Sequence, residues 1–289
     1  MLEVLATGPL ATVQDLGRPG LADIGVGPSG AADRGALRLA NRLLGNDEGA
    51  AAVEVTFGGL ELRAHRAVTV AVTGAPCPVA VDGRSAAVNA PVRLAAGARL
   101  RLGTPGTGLR SYLAVRGGLD VEPVLGSRAT DVLAGLGPDP LAPGTWLPVG
   151  PPPERFPVVD VAPVPAHPAG ELVLRVHPGP RDDWFTEDAL RALLTSRYEV
   201  TADCDRVGMK LAGPELPRRR TDELPSEGMV SGALQVPPSS RPTLFLADHP
   251  VTGGYPVIAV VTAADVDKAA QAPPGQRIRF RAASTRRTA

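Results

Sequence analysis

Apolar and polar positions alternate along most of this chain. Val53, Val55 and Phe57, then Leu60, Leu62 and Ala64, alternate on either side of Gly58-Gly59. A period of two sends one set of side chains to a buried face, so the pattern predicts two strands joined as a hairpin. Val68, Val70 and Val72 repeat it. Val79 and Val81 lead into Asp82-Gly83, a strong two-residue turn, and Val92, Leu94, Leu100 and Leu102 continue around Gly97. The Gly-rich run Gly103–Gly108 reads as a further hairpin turn between strands. Helical spacing replaces alternation between Gly30 and Gly45, where Ala36, Leu37, Ala40, Leu43 and Leu44 share a face. Ser29 is the expected N-cap and Gly45 the expected stop.

The second half repeats the style. Leu172, Leu174 and Val176 alternate, and a helix is expected over Thr186–Thr195 with Asp182, Asp183, Glu187 and Asp188 near its start. Strands are expected at Tyr198–Thr201, Val207–Leu211, Thr243–Ala247 and Val257–Val261, then a short helix at Ala264–Gln271 and a last strand at Arg277–Ala282. Between the halves, Pro148–Pro168 is dense in proline, which is stiff and poor in central strands. The expected organisation is a first β domain over 1–150, a Pro-rich connector over 151–168, a second β domain over 169–283 and a frayed tail at 284–289. The fold class is mainly β with a minor helical share.

Composition narrows the classes. Among 289 residues, 33 Gly and 31 Pro disfavour a helix bundle. The net charge of zero, without a basic stretch, argues against nucleic acid as a partner. No apolar run reaches the ~18 residues of a membrane span. The N-terminus lacks the basic and apolar regions of a secretory signal, and Cys77 and Cys204 are too few for a disulfide framework, so a cytoplasmic location is expected.

Gly25-Val26-Gly27-Pro28-Ser29-Gly30 matches G-x-G-x-x-G, but no buried strand precedes it and hairpins follow it, so a tight turn into a capped helix is the better reading. Its helix N-terminus leaves Ser29 and Gly30 as a candidate anion or nucleotide site. There is no P-loop, no G-x-S-x-G elbow and no metal-ligand spacing among His65, His167, His177 and His249, so no metal site is expected. The chemistry concentrates in polar segments set among strands: Gln14–Gly20, Asp203–Gly208, Ser226–Gly228 leading to Gln235, and Asp248–Pro256. Asp248 ends an apolar strand, Gly253-Gly254 permits close backbone approach, Thr252 and Tyr255 supply hydroxyls, and Gln235 supplies an amide.

At these segments the chain resembles a known family. TVQDLGRPG, GVGPSGAADRGALRLANRLLGN, VEVTFGGLELR and SYLAVRGGLDVEPVLGSRATD run in order through the first half. CDRVGMKLAGPEL, SEGMVSGALQVPPSSRPTLFLADHPVTGGYP and PPGQRIRF run through the second. This is similar to the C subunits of the prokaryotic ATP-dependent 5-oxoprolinases, also called allophanate hydrolase subunit 2, KipA-like, or biotin-dependent carboxyltransferase-like proteins. The resemblance implies two tandem cyclophilin-like β-barrel domains, each with one or two short helices. It implies hydrolysis of 5-oxo-L-proline to L-glutamate with ATP, accompanied by Mg, together with a B-type (KipI-like) partner and an A-type (LamB/YcsF-like) partner. Two other readings follow from it. One is a urea carboxylase-like carboxyltransferase component, for which biotin would come on a separate carrier because the chain has no A-M-K-M site and no ATP-grasp region. The other is a non-catalytic KipA-like regulator that binds and antagonises a kinase inhibitor. On the hydrolase reading, Asp248 and Glu227 are the candidate catalytic carboxylates. Gln235, Thr252, Gly253, Gly254 and Tyr255 would hold the lactam, and Arg206 or Arg18 would meet a carboxylate or phosphate.

Overall fold

In the computed structural model, which describes residues 1–165 and 167–283, the chain divides into two units. The first comprises Met1–Gly20 and Pro28–His167; the second comprises Leu21–Gly27 and the chain from Pro168. The expected tail at 284–289 lies outside the described residues.

The first unit contains β1 (Leu2–Thr7), β2 (Leu10–Gln14), β3 (Ala52–Thr56), β4 (Leu60–Ala64), β5 (Val68–Gly74), β6 (Val79–Val81), β7 (Arg84–Ala86), β8 (Pro91–Leu94), β9 (Arg99–Leu102), β10 (Arg110–Val115) and β11 (Trp146–Leu147). They form two sheets, in the orders β11-β1-β4-β9-β6-β7 and β2-β3-β10-β5-β8. Val4, Leu62 and Leu100 of one sheet pack with Val13, Val55, Val72 and Leu113 of the other in a single core. The helix α1 (Arg34–Leu44) covers the opposite face of the second sheet, setting Leu37, Ala40 and Leu44 on Ala71, Tyr112 and Ala114. β10 is consequently buried on both faces.

Two expected hairpins are crossovers instead. β3 pairs with β2 and β10, whereas β4 pairs with β1 and β9, so the chain changes sheet at Phe57-Gly58-Gly59. The run Gly103–Gly108 likewise carries the chain from β9 in one sheet to β10 in the other. The two crossings meet. A Cβ on Gly58, whose φ is +71°, would lie 2.1 Å from the Gly103 carbonyl oxygen. Alternation identifies strands but not their partners, which is why a turn between sheets reads as a hairpin. Asp82-Gly83 does join a hairpin, β6 to β7.

The proline-dense segment is not a free connector: residues 151–165 belong to the first unit. Arg116 donates to the carbonyls of Pro153 and Arg155, Ala162 N–H donates to Asn89 O at 2.8 Å, and Val159 and Ala162 pack on the α1 cluster. Proline-rich chain that cannot join a ladder still presents carbonyls to donors and apolar rings to a surface.

In the second unit β12 (Leu172–Pro178), β13 (Arg197–Cys204), β14 (Gly208–Ala212), β16 (Ala233–Gln235), β17 (Thr243–Phe245), β19 (Val257–Val261) and β20 (Arg277–Ala282) close a barrel. The parallel pairing of β12 with β20 is part of the closure. Two short strands, β15 (Glu227–Gly228) and β18 (Thr252–Gly253), pair apart from it. The barrel is filled by Leu174, Val200, Leu211, Leu234, Leu244, Ile258 and Phe280. Tyr198 lies 5.7 Å from Phe280 between ring centroids, and burial pushes its phenol up to about 12. The helix α2 (Glu187–Thr195) is capped by the Thr186 hydroxyl, which accepts from Ala189 N–H at 3.1 Å. The mainly β fold class holds in both units.

The short helix α3 (Ala263–Ala269) has no side-chain N-cap and is tied down by Asp265 instead. Its carboxylate, 1% exposed, accepts from Arg175 N–H and Nε at 2.8 Å, Arg175 Nη2 at 3.0 Å and Lys268 Nζ at 2.7 Å. Burial alone would raise its pKa; the donors outweigh burial and hold the carboxyl well below the usual range. A depressed folded pKa gives a contribution complete above the unfolded carboxylate range, ~pH 4, and lost as pH falls through the folded value. Asp265→Asn is therefore expected to lower stability at neutral pH and flatten the acid limb of the profile. Urea unfolding from neutral pH to about pH 2 would measure both.

Candidate functional site

The densest polar segment of the sequence lies on the second unit and is built around Arg206 and Asp248. Arg206 Nε and Nη2 each donate to an Asp248 oxygen at 2.9 Å, and Asp248 N–H donates to Arg206 O at 3.0 Å. Both side chains are 0% exposed. The segment before β14 and the segment after β17 are thus joined through side chains and backbone at once. By residue type, Asp248 is expected as an acid–base group and Arg206 as a ligand for a substrate anion. The structure turns the two charges on each other and closes them from water, which makes them a positioning pair.

What they position is the loop Asp248–Pro256. His249 follows, 5% exposed, with Nδ1 2.9 Å from Pro250 O. Thr252 and Gly253 then form β18 against β15, with Glu227 opposite Gly253 and Gly228 opposite Thr252. Gly253 lies on Gln235, where an added Cβ would stand 2.6 Å from Nε2 and 3.1 Å from Met229 Sδ. Gly254 is not confined in this way: its Cβ would meet only Leu224 O, at 3.7 Å. Gln235 Nε2 donates to Tyr255 O at 3.1 Å, anchoring the turn from below.

Three chemically useful groups remain at the surface of this frame. Thr252 is exposed and Tyr255 is 46% exposed, with the Arg218 guanidinium 5.7 Å from its ring centroid. Glu227 is half-buried and takes two bonds from Arg181. The Arg181 bond is the main cause holding the Glu227 carboxyl below its usual range, against a smaller opposing effect of burial. At neutral pH it is an acceptor and a negative charge, not a proton donor.

The other candidates belong to the first unit. Arg18, 3% exposed, donates from Nε and Nη2 to the carbonyls of Val124 and Ala129 and so braces a loop, while its buried Nη1 has no hydrogen-bond partner among the described residues. Asp15 accepts from Gly17 N–H at 2.7 Å, Ser127 Oγ at 2.6 Å and Arg128 N–H at 2.6 Å. Gly17 and Gly30 pack backbone to backbone: a Cβ on Gly17 would lie 2.2 Å from Pro28 O, and one on Gly30 would lie 2.7 Å from Gly17 N. Ser29 is fully buried and donates to Thr130 O at 3.3 Å. The N-cap of α1 is Asp33, whose carboxylate accepts from Ala36 N–H at 2.9 Å. A carboxylate already holds that helix terminus, so the anion or nucleotide site expected at Ser29 and Gly30 does not fit the residues present.

Sequence reasoning missed a buried polar cluster nearby. Glu54, 1% exposed, accepts from Tyr112 Oη at 2.7 Å and Ala32 N–H at 2.9 Å, with Arg110 Nε at 3.6 Å. Burial first, then the charges of Glu54 and Asp33, raise the Tyr112 phenol well above its ordinary value. The available signal was a carboxylate inside the run Val53-Glu54-Val55, on the sheet face that α1 covers. Among the described residues no group of three or more His, Cys, Asp or Glu is placed to hold a metal ion, and no helix is long and apolar enough to cross a membrane.

Residues 24–282 match the family model described as carboxyltransferase domain, subdomain A and B. The 5-oxoprolinase C subunit of Escherichia coli (strain K12) is 38% identical over 283 residues, which is 97% of this chain and 90% of that protein. The urea amidolyase of Lachancea kluyveri is 31% identical over 96% of this chain but only 17% of its own length. Among solved structures, the K. lactis urea amidolyase superposes with a TM-score of 0.92 at 30% identity, covering 98% of this chain and 19% of that one. TTHA0988 gives 0.87 at 37% identity, and this chain spans 56% of it.

Removing one partner of the Arg206–Asp248 pair strands a buried charge. Arg206→Ala is expected to cost about 3–5 kcal/mol, and the double variant Arg206→Met/Asp248→Leu to recover most of it, both measured by urea unfolding.

Proposed function

Since the chain belongs to the carboxyltransferase domain family, subdomain A and B, we propose that it is the C subunit of an ATP-dependent 5-oxoprolinase, opening a cyclic amide to the amino acid in a complex with A-type and B-type partners. One observation carries this choice over the other readings. The likeness to the 5-oxoprolinase C subunit spans 97% of this chain and 90% of that protein, whereas the Lachancea kluyveri urea amidolyase is matched over less than a fifth of its length.

The chemistry required is specific. A lactam carbonyl is stabilised by amide resonance; transfer of the terminal phosphoryl group of ATP to its oxygen, with release of ADP, would open the carbon to water. Breaking the C–N bond with a proton delivered to nitrogen would leave an acyl phosphate, which a second water would hydrolyse to the carboxylate and inorganic phosphate. Ring opening then needs the ring held still, its carboxylate and carbonyl satisfied, and a proton acceptor for water. In this proposal Thr252 and Tyr255 hydroxyls orient the ring. Glu227, ionised and held by Arg181, accepts the proton of water or steadies the leaving amide N–H. Gln235 and the Gly253 backbone fix the strand that carries them, and Arg206–Asp248 hold the loop itself. Ser29 and Gly30 do not fit a nucleotide, so the ATP-dependent step, with its Mg, is assigned to a partner chain, and the soluble complex to the cytoplasm. A carboxyl-transfer reading is favoured by the 0.92 TM-score with the K. lactis urea amidolyase. It would require a biotin carrier that this chain does not contain.

The test is reconstitution with the A-type and B-type partners, following glutamate release from 5-oxoproline with and without ATP. Release is expected only with ATP and all three chains. Glu227→Gln is expected to lower kcat about 100-fold, and Thr252→Val or Tyr255→Phe about tenfold, without loss of assembly on gel filtration. An assembled complex that releases no glutamate yet carboxylates urea from carboxybiotin would replace this reading by the second. An assembled complex inactive in both assays would point to the KipA-like regulatory role.

A further inference from the structure

A groove on the first unit is lined by arginines that the proposed chemistry does not use. Thr69 of β5 is the cross-strand partner of Arg93 of β8. On its other side, Arg116, just past β10, donates its backbone N–H to Thr69 O at 2.8 Å. β8, β5 and β10 are adjacent in the sheet. Residues directly opposite one another share a face, so Arg93, Thr69 and Arg116 form a row across three strands. Two positions along, the same face carries Ala71 and Ala114, which α1 covers. The row lies beyond the helix end, and the cavity there, about 270 Å³, is lined by Arg66, Thr69, Arg93, Arg116 and Pro152 among others, none of them acidic.

Two of the three charges in this groove are held in place by groups that carry no negative charge. Arg116 bonds to the carbonyls of Leu44, Pro153 and Arg155 and lies 4.6 Å from the Phe156 ring centroid. Arg66 Nη2 donates to Val149 O at 3.0 Å. These partners are backbone oxygens and an aromatic face, which fix a guanidinium but leave its full charge. Arg93 is exposed, and among the described residues no hydrogen bond or ion pair engages its guanidinium. Three cations line this one small groove, with no carboxylate in its lining, and like charges so placed repel one another unless an anion joins them.

We propose that this groove binds a small multiply charged oxyanion, a phosphate or a dicarboxylate. Arg93 and Arg66 would supply forked N–H donors, Thr69 a hydroxyl, and Arg116 a fixed charge behind them. A cavity of this size suits a small metabolite and not a nucleotide-sized ligand.

The experiment is calorimetric titration of the full chain with inorganic phosphate and, separately, with oxalate, at constant ionic strength set by chloride. Saturable one-to-one binding is expected. Arg93→Ala and Arg66→Ala should each weaken it about tenfold or more, while Arg84→Ala, an exposed arginine on β7, leaves it unchanged. Arg93 is a surface side chain, and the ligand-free melting temperature of its variant is expected to match the parent. Binding of phosphate alone would assign a phosphoryl group, and of oxalate alone a dicarboxylate. Absence of saturable binding by either, or binding indifferent to Arg93→Ala, would overturn the proposal. Neither outcome bears on glutamate release.

Discussion

Two opposite charges closed off from water organise the end of the second barrel. Arg206 and Asp248 belong to segments 42 residues apart, and each is fully satisfied only when both segments are in place. The geometry therefore holds the polar loop by a constraint that is all or nothing. A hydrophobic contact at the same place could slide by a fraction of an ångström at little cost, whereas a bidentate guanidinium–carboxylate pair in a dry setting cannot. The loop that leaves Asp248 inherits this rigidity. Its next anchors, the Gln235 amide on Tyr255 O and the β15–β18 pairing, are weaker bonds that need a fixed starting point.

The same division of labour appears in the first unit. Asp15, Arg18, Ser29 and Asp33 are polar residues of a motif-rich region, and each bonds backbone groups of its own or a neighbouring loop. Buried loops carry N–H and C=O groups that strands and helices do not satisfy, and these side chains answer them. Residues that look like a ligand site by type are thereby used up in holding loop backbone. The groups left for chemistry are those that keep part of their surface in water: Thr252, Tyr255 and Glu227 at one place, and Arg66 and Arg93 at another.

Burial rather than residue type separates the two roles. Asp248 and Glu227 are both carboxylates held by an arginine, in the same unit. One is sealed, so its charge can only position; the other keeps part of its surface in water, so its charge can meet a substrate. The contrast also explains why a family pattern rich in Asp, Arg and Gly does not by itself point to the reacting atoms.

By itself the sequence determined the periodic features. A continuous apolar run located the strand Val257–Val261, alternation located Arg277–Ala282, and helical spacing located the core face of α1, because local sterics and burial act within a few residues. The motifs carried the family as well. Tertiary structure decided which strand pairs with which, since Phe57-Gly58-Gly59 joins two sheets and only the distant Gly103 reveals why that turn is open to glycine. It moved the cap of α1 from Ser29 to Asp33, and it took Leu21–Gly27 into the second unit and residues 151–165 into the first. It also decided the fates of Arg18, Arg206 and Asp248, because whether a charge faces water or another charge depends on chain far away in sequence, and alternation and spacing hold no record of that.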